Sequence, residues 1–268
     1  MKKSILNFLN NGIVRAACGS HIGNVRKNNE DNFCLDGIYL DRDHNETAEI
    51  HLWKKSFLRR TGSFFAVFDG MGGGDYGEVA SYAAAEAASA FLSEGEMDAA
   101  DISASLIKFC EQTNRKVYRA GCNLGAWQMG CTLVSVYNLY DRIWVCNLGD
   151  SRCCLLRDGE LMQISVDHVE HRNPQDGDAA GRKPYITQYL GVDPEEMQIE
   201  PCIKSLTLQD GDRLLLCSDG LTDMVPEQKI RETLLAVTDP ETAVQTLIDM
   251  ALQAGGRDNV TVMLLCAG

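Results

Sequence analysis

The sequence predicts an α+β layered domain, and two observations carry that expectation. Strand-like apolar runs crowd "GCTLVSVYNLYDRIWVCNLGDSRCCLLRDGELMQIS", Gly130–Ser165, with turns as short as "RDGE" between them, as in antiparallel hairpins. Helix-like runs are grouped as well, instead of alternating with strands, so a parallel βαβ sheet is not indicated.

Along the chain, strand-like runs fall at 13–19, 31–40, 63–69, 130–139, 141–148, 151–157, 159–165, 197–206, 212–218 and 259–266. Helix-like runs fall at 75–93, 98–120, 226–237 and 240–254. In "DISASLIKFCEQTNRKVYRA" the apolar Ile102, Leu106, Phe109 and Val117 recur near one face. Pro226, and Asp239 before Pro240, suit helix starts. Residues 167–191 are polar and turn-rich, which predicts a surface flap, and 40–62 reads as a charged insertion between two strands. No repeat or long Pro/Ser-rich linker divides the chain, so its 268 residues are expected to form one catalytic domain, 1–268.

The net charge of −13 argues against nucleic acid or an anionic membrane as the main partner. No stretch approaches the roughly 20 apolar residues of a membrane span. Cys131, Cys146, Cys153, Cys217 and Cys266, among eleven cysteines, sit inside strand-like runs, where a thiol behaves as a small buried hydrophobe. With no Cys-X-X-Cys pair, this usage fits a reducing compartment and no zinc site. "MKKSILNFLNNGIVRAACGS" mimics a signal peptide ahead of Cys18, but Asn7, Asn10, Asn11 and Arg15 interrupt its apolar region, and "GIVRAACGS" reads as a first strand.

The chemistry is concentrated at strand ends. In "FFAVFDGMGGGDYGEVAS" an apolar run stops at Asp69, followed by Gly70, Met71 and Gly72–Gly74. A carboxylate at a buried strand end must be paired or hold a cation. "RLLLCSDGLTD" ends in Asp219 with Asp223 beyond it, "RIWVCNLGDSR" ends in Asp150, "GGRDNVTVMLL" sets Asp258 before a strand, and "VRKNNEDNF" sets Glu30 and Asp31 before another. Glycines beside these acids let the chain turn sharply and leave a carbonyl free to coordinate. Oxygen-only clusters suit Mg²⁺ or Mn²⁺. Two such ions can generate a nucleophile from water and orient a phosphoryl group, and Arg26 stands ready for phosphate oxygens.

Seven ordered motifs carry a resemblance over nearly the whole chain: "GNVRKNNEDNF", "FFAVFDGMGGGDYGEVAS", "GCTLVSVYNL", "WVCNLGDSRCCLLRDG", "SVDHVEH", "LLLCSDGLTDMV" and "GGRDNVTVMLL". Together they resemble the metal-dependent protein phosphatase family (PPM, protein phosphatase 2C-like). The resemblance implies two stacked antiparallel sheets flanked by helices, a four-layer αββα sandwich. It implies hydrolysis of phosphoserine and phosphothreonine in proteins with two Mn²⁺ or Mg²⁺ ions and a third, weaker site. Asp69 would bridge the two metals, Gly70 would coordinate through its carbonyl, and Glu30 would complete the second metal's shell. Asp219 and Asp258 would hold the first metal, and Asp150 and Asp223 the third. Arg26 would bind phosphate, Asp31 and Asn259 would support the ligands, and Thr132 would pack near the centre.

The expected mechanism is direct attack by a metal-bridging hydroxide, without a phosphoenzyme. Many eukaryotic members carry His where Met71 stands, and Met71 cannot give a proton, so the general acid is expected to be a metal-coordinated water. His168 is expected to hydrogen-bond a loop, and His171 has no acid or Cys motif beside it to make a zinc pair. The resemblance further implies a monomeric, cytoplasmic bacterial enzyme acting on the phosphoproteins of a Ser/Thr kinase. Two rival readings stay open at this point, a PPM-fold binding module and a hydrolase of small phosphoesters.

Overall fold

The structure, a computed structural model, describes residues 13–42, 51–58, 62–71, 76–93, 98, 100–126, 128–170 and 183–268. Gly72–Gly74, residues 171–182 of the 167–191 flap, His171 among them, and the residues ahead of position 13 lie outside the described residues.

Two antiparallel sheets form the centre. The first runs in the order β3 (His51–Leu58), β1 (Ile13–His21), β12 (Val260–Ala267), β11 (Arg213–Cys217), β8 (Arg152–Arg157), β9 (Glu160–Gln163). The second runs β10 (Cys202–Thr207), β7 (Arg142–Leu148), β6 (Leu133–Leu139), β4 (Ser63–Met71), β2 (Asp31–Leu35), with the short β5 (Gly130–Cys131) paired to the end of β4. Among the described residues, five helices follow the same chain order: α1 (Gly77–Ser93), α2 (Ile102–Leu124), α3 (Asp219–Thr222), α4 (Glu227–Ala236) and α5 (Pro240–Gln253).

Side chains alternate across a strand, and that period explains the layers. In β4, Phe64, Ala66 and Phe68 face α1 and α2, where Ala80, Ala84, Leu106 and Phe109 meet them. Phe65 and Val67 face the other sheet and join Phe33, Val134, Leu214, Leu216 and Met263 in a core between the sheets. Residues of opposite phase in the first sheet, such as Leu215, Val262 and Leu264, pack on Val244, Leu247 and Ile248 of α5. The chain is therefore an αββα sandwich. Each fully buried Phe, Leu or Val contributes about 1.5–3 kcal/mol, so three apolar layers outweigh the acids lodged at one end.

Helix starts follow their capping residues. Asp101 accepts a hydrogen bond from the Ala104 amide at 3.0 Å, and Asp239 accepts one from Thr242 at 2.8 Å with Pro240 next in line.

Several sequence expectations change; Asp150, for one, lies two residues beyond the end of β7. The 40–62 insertion contains strand β3, paired along β1 from Ile13↔Leu58 to Ser20↔His51. Strand β2 ends at Leu35 instead of continuing to position 40, because Asp36 and Gly37 adopt positive φ and turn the chain. The run at 197–206 is a strand only over Cys202–Thr207. Asp219 opens the short helix α3 instead of ending its strand, which stops at Cys217.

All eleven cysteines are free thiols, and Cys131, Cys146, Cys153 and Cys217 are fully buried. Burial pushes the Cys131 and Cys217 thiols far above their usual pKa, which removes the thiolate that a cysteine nucleophile would need.

Candidate metal centre

The inter-sheet rows all turn polar at the same end of the sandwich. The row Phe65, Val67 continues to Asp69; the row Leu35, Phe33 to Asp31; Leu214, Leu216 to Ser218; Leu265, Met263 to Thr261; and Cys18 to Ser20. Asp31 and Asp69 lie directly opposite one another in the β2–β4 register.

These polar ends form a hydrogen-bonded floor. The Ser218 hydroxyl donates to Asp31 Oδ2 at 2.7 Å and accepts from the Thr261 amide at 3.0 Å. Ser20 and Thr261 share a hydroxyl contact of 2.8 Å. Thr132 Oγ1 accepts from the Asp69 amide at 3.1 Å and lies 2.7 Å from Ser151 Oγ. Thr132 therefore holds the strand end that presents Asp69.

Two glycines make close approaches possible. A Cβ on Gly70 would collide with the carbonyls of Gly77 and Glu30, and the Gly70 amide donates to Glu30 O at 3.1 Å. The bare Cα of Gly70 therefore makes room for the neighbouring backbone, a different use from clearing space for ligand. Gly149, at φ +100°, packs against Thr132 and turns the chain into Asp150.

The loop before β2 is latched to the residue just ahead of β12. Asn259 Nδ2 donates to Ile22 O and Asn28 O, each at 2.8 Å, while its Oδ1 accepts from the Glu30 amide at 2.8 Å. One side chain thus fixes the loop carrying Arg26 and Glu30 against Asp258. Arg26 reaches Asp258 Oδ2 at 2.7 Å.

Arg26, Glu30, Asp69, Gly70, Asp219 and Asp258 line one cavity of about 580 Å³, together with Met71 and Lys183. Asp150 and Asp223 join it through Lys183, whose ammonium contacts Asp219, lies 3.3 Å from Asp223 and 3.7 Å from Asp150. Asp31 and Asn259 sit beneath, as supports. His168 lies to one side, its Nδ1 accepting from the Gly149 amide at 3.2 Å while its own amide donates to Gly149 O at 3.0 Å.

The cluster is electrostatically strained. Burial, then repulsion from Asp31, Asp150 and Asp258, pushes the Asp69 carboxyl well above its ordinary pKa. Burial raises Asp31 to about 7 despite the Ser218 hydrogen bond. Glu30 is raised by burial and by Glu78, and Asp150 by burial, with Lys183 opposing. Burial alone would lower the Lys183 pKa, but Asp150, Asp223 and Asp69 outweigh it and hold it above the usual value.

This environment fits hard divalent cations. The donors are all oxygen, and the buried Asp150 Oδ1 has no hydrogen-bond partner within the protein. Among the described residues no three acidic, His or Cys side chains already converge as a cage for one ion. Lys183 and Arg26 instead pair with the acids.

Sequence reasoning overlooked Lys183, which lies in the polar 167–191 stretch and carries no periodic signal. It also overlooked Glu78, whose carboxylate accepts from Asn28 Nδ2 at 2.8 Å, although an acid directly after Gly77 at a helix start was visible. The Ser and Thr floor is legible only once the strand phases are known.

A family model described as "Protein phosphatase 2C" matches residues 53–254. The serine/threonine phosphatase stp of Listeria monocytogenes is 32% identical over 254 residues, covering 91% of this chain and 92% of that protein. Protein phosphatase PhpP of Streptococcus pneumoniae is 29% identical over 219 residues, 78% of this chain and 88% of its own. Among solved structures, the Mycobacterium tuberculosis phosphatase PstP/Ppp superposes with a TM-score of 0.74 at 29% identity, covering 95% of this chain and 98% of that one. A PstP catalytic domain in complex with two manganese ions gives a TM-score of 0.73 at 29% identity, covering 96% and 99%.

Proposed function

The chain belongs to the protein phosphatase 2C family, and from that premise we propose that it is a metal-dependent phosphatase of phosphoserine and phosphothreonine in proteins. The carrying observation is the shared cavity, in which Arg26 and four acids from four separate segments, Glu30, Asp69, Asp219 and Asp258, converge.

Each residue has a task in that reading. Asp69, Glu30, Asp219, Asp258 and the Gly70 carbonyl would hold two Mn²⁺ or Mg²⁺ ions, and Asp150 with Asp223 a third, weaker one. Bound there, the ions would supply Lewis acidity toward phosphoryl oxygens and a nucleophile generated from water at neutral pH. Arg26 presents its planar fork to the incoming phosphoryl oxygens while its partner Asp258 keeps it in reach. Asn259 positions Arg26 and Glu30 together, and Asp31, held by Ser218, stands beside Asp69 on the neighbouring strand. Met71 lines the cavity and has no proton to give, so the leaving alkoxide would take its proton from a water held at the metal centre rather than from residue 71. The substrates proposed are phosphoproteins of a Ser/Thr kinase, met by a monomeric cytoplasmic enzyme with no nucleic-acid or membrane partner. Among the described residues no helix is long and apolar enough to cross a membrane.

The test is phosphate release from a phosphothreonine peptide with Mn²⁺, with Mg²⁺ and with chelator, beside Asp219→Asn. Release that needs metal and falls at least about a hundredfold in Asp219→Asn is expected. Release unaffected by chelator would overturn the reading.

A further inference from the structure

We propose that Lys183 is a tethered cation of the metal centre: its ammonium occupies the carboxylates of Asp150, Asp219 and Asp223 and must leave them for a divalent ion to bind, so Lys183 sets how tightly that side of the centre holds metal. The inference rests on the reading of these acids as metal ligands and adds a regulator to them.

The geometry is specific. Lys183 is about half exposed, so its side chain could point into water, yet its ammonium reaches three acids that come from two separate connections, β7 to β8 and β11 to β12. A long flexible side chain gives up rotamer freedom to do this, which requires an attraction to offset it. The attraction is present in the charge count: Asp69 also acts on Lys183, so four acids share one ammonium.

The tether is anchored to residues 168–170, and through His168 to the turn that carries Asp150. Two residues beyond Lys183, the Tyr185 carbonyl accepts from the Glu170 amide at 2.9 Å, and the Thr187 amide donates to His168 O at 2.8 Å. Val169 and Ile186 form the bridge between those two bonds. His168 in turn exchanges hydrogen bonds with Gly149, the neighbour of Asp150. Further on, Leu190 and Cys131 are paired through both backbone bonds, and Asn114 captures the Gly191 and Val192 amides. Lys183 is thus held within reach of Asp150 by a short, fixed piece of chain.

A compact ammonium and a divalent ion compete for the same oxygens and repel one another at contact distance. Removing the ammonium takes away the competitor and leaves the acids to be neutralised by metal alone.

Calorimetric titration with Mn²⁺ tests this on the wild type, Lys183→Met, Lys183→Arg and Lys229→Met. Lys229 pairs with Glu232 on α4 and controls for the loss of one positive charge from an acidic chain. Lys183→Met is expected to bind Mn²⁺ about five- to tenfold more tightly at the weakest site resolved, a moderate coupling. Its metal-free form is expected to melt lower than the wild type. Lys183→Arg and Lys229→Met should bind like the wild type. Equal affinity in wild type and Lys183→Met, or equal tightening in Lys229→Met, overturns the proposal while leaving the phosphatase reading intact. A wild type that binds no Mn²⁺ overturns both.

Discussion

Asp69 stands where an apolar row runs out, and its burial has a thermodynamic consequence. Asp69, Asp31, Glu30 and Asp150 all have raised pKa values, chiefly from burial, with Asp31 at about 7. The unfolded chain titrates these acids near pH 4. Between about pH 4 and 7 the metal-free fold therefore binds more protons than the unfolded chain, and its stability falls as pH rises through that window. The slope is at most about 1.4 kcal/mol per pH unit for each group. His168, lowered by burial, works in the opposite direction. The clean readout is consequently the rise in Tm on adding Mn²⁺, which should be larger at pH 7.5 than at pH 5, since metal replaces protons on the same oxygens. A Tm rise that is equal at the two pH values would contradict the assignment of these acids. At this scale the acids were legible, because a charged residue interrupts an apolar run. Lys183, Ser218 and Ser151 were not, because a lysine in a polar loop and a hydroxyl beside a strand look ordinary until neighbours are known.

Elements deliver these residues, and the deliveries differ in how visible they are. Strand β4 and helix α1 follow directly from "FFAVF" and the alanine-rich run behind it. Strand β3 did not, because its charged run lacks strict alternation and its pairing with β1 is a long-range event; lysines such as Lys55 suit an edge strand, which must avoid further pairing. The exit of the 167–191 segment depends on one buried residue of α2. Asn114 accepts from the Gly191 amide at 2.7 Å and the Val192 amide at 3.0 Å, and donates to Val192 O at 3.0 Å. Asn114→Ala would strand buried backbone groups and should cost about 2–3 kcal/mol of unfolding free energy in urea titration. A loss of about 0.5 kcal/mol or less, the level of a surface change, would show that the segment is held elsewhere.

Over the whole molecule, the sandwich places every inter-sheet row so that its polar end opens at the same edge, and the proposed metal centre is that edge. The four layers were expected from the family resemblance, and the residue pattern alone reached only an α+β layered domain, because the order of strands within a sheet leaves no mark on local sequence. The central claim is that Asp69 stands between two divalent ions. The most direct measurement is anomalous diffraction at the manganese edge from crystals grown with Mn²⁺, for wild type and Asp69→Asn. The account predicts two strong peaks flanking the Asp69 carboxylate in the wild type, bounded by Glu30, Asp219 and Asp258, and loss of at least one in Asp69→Asn. Manganese peaks away from these residues, or no peak in the cavity, would contradict it.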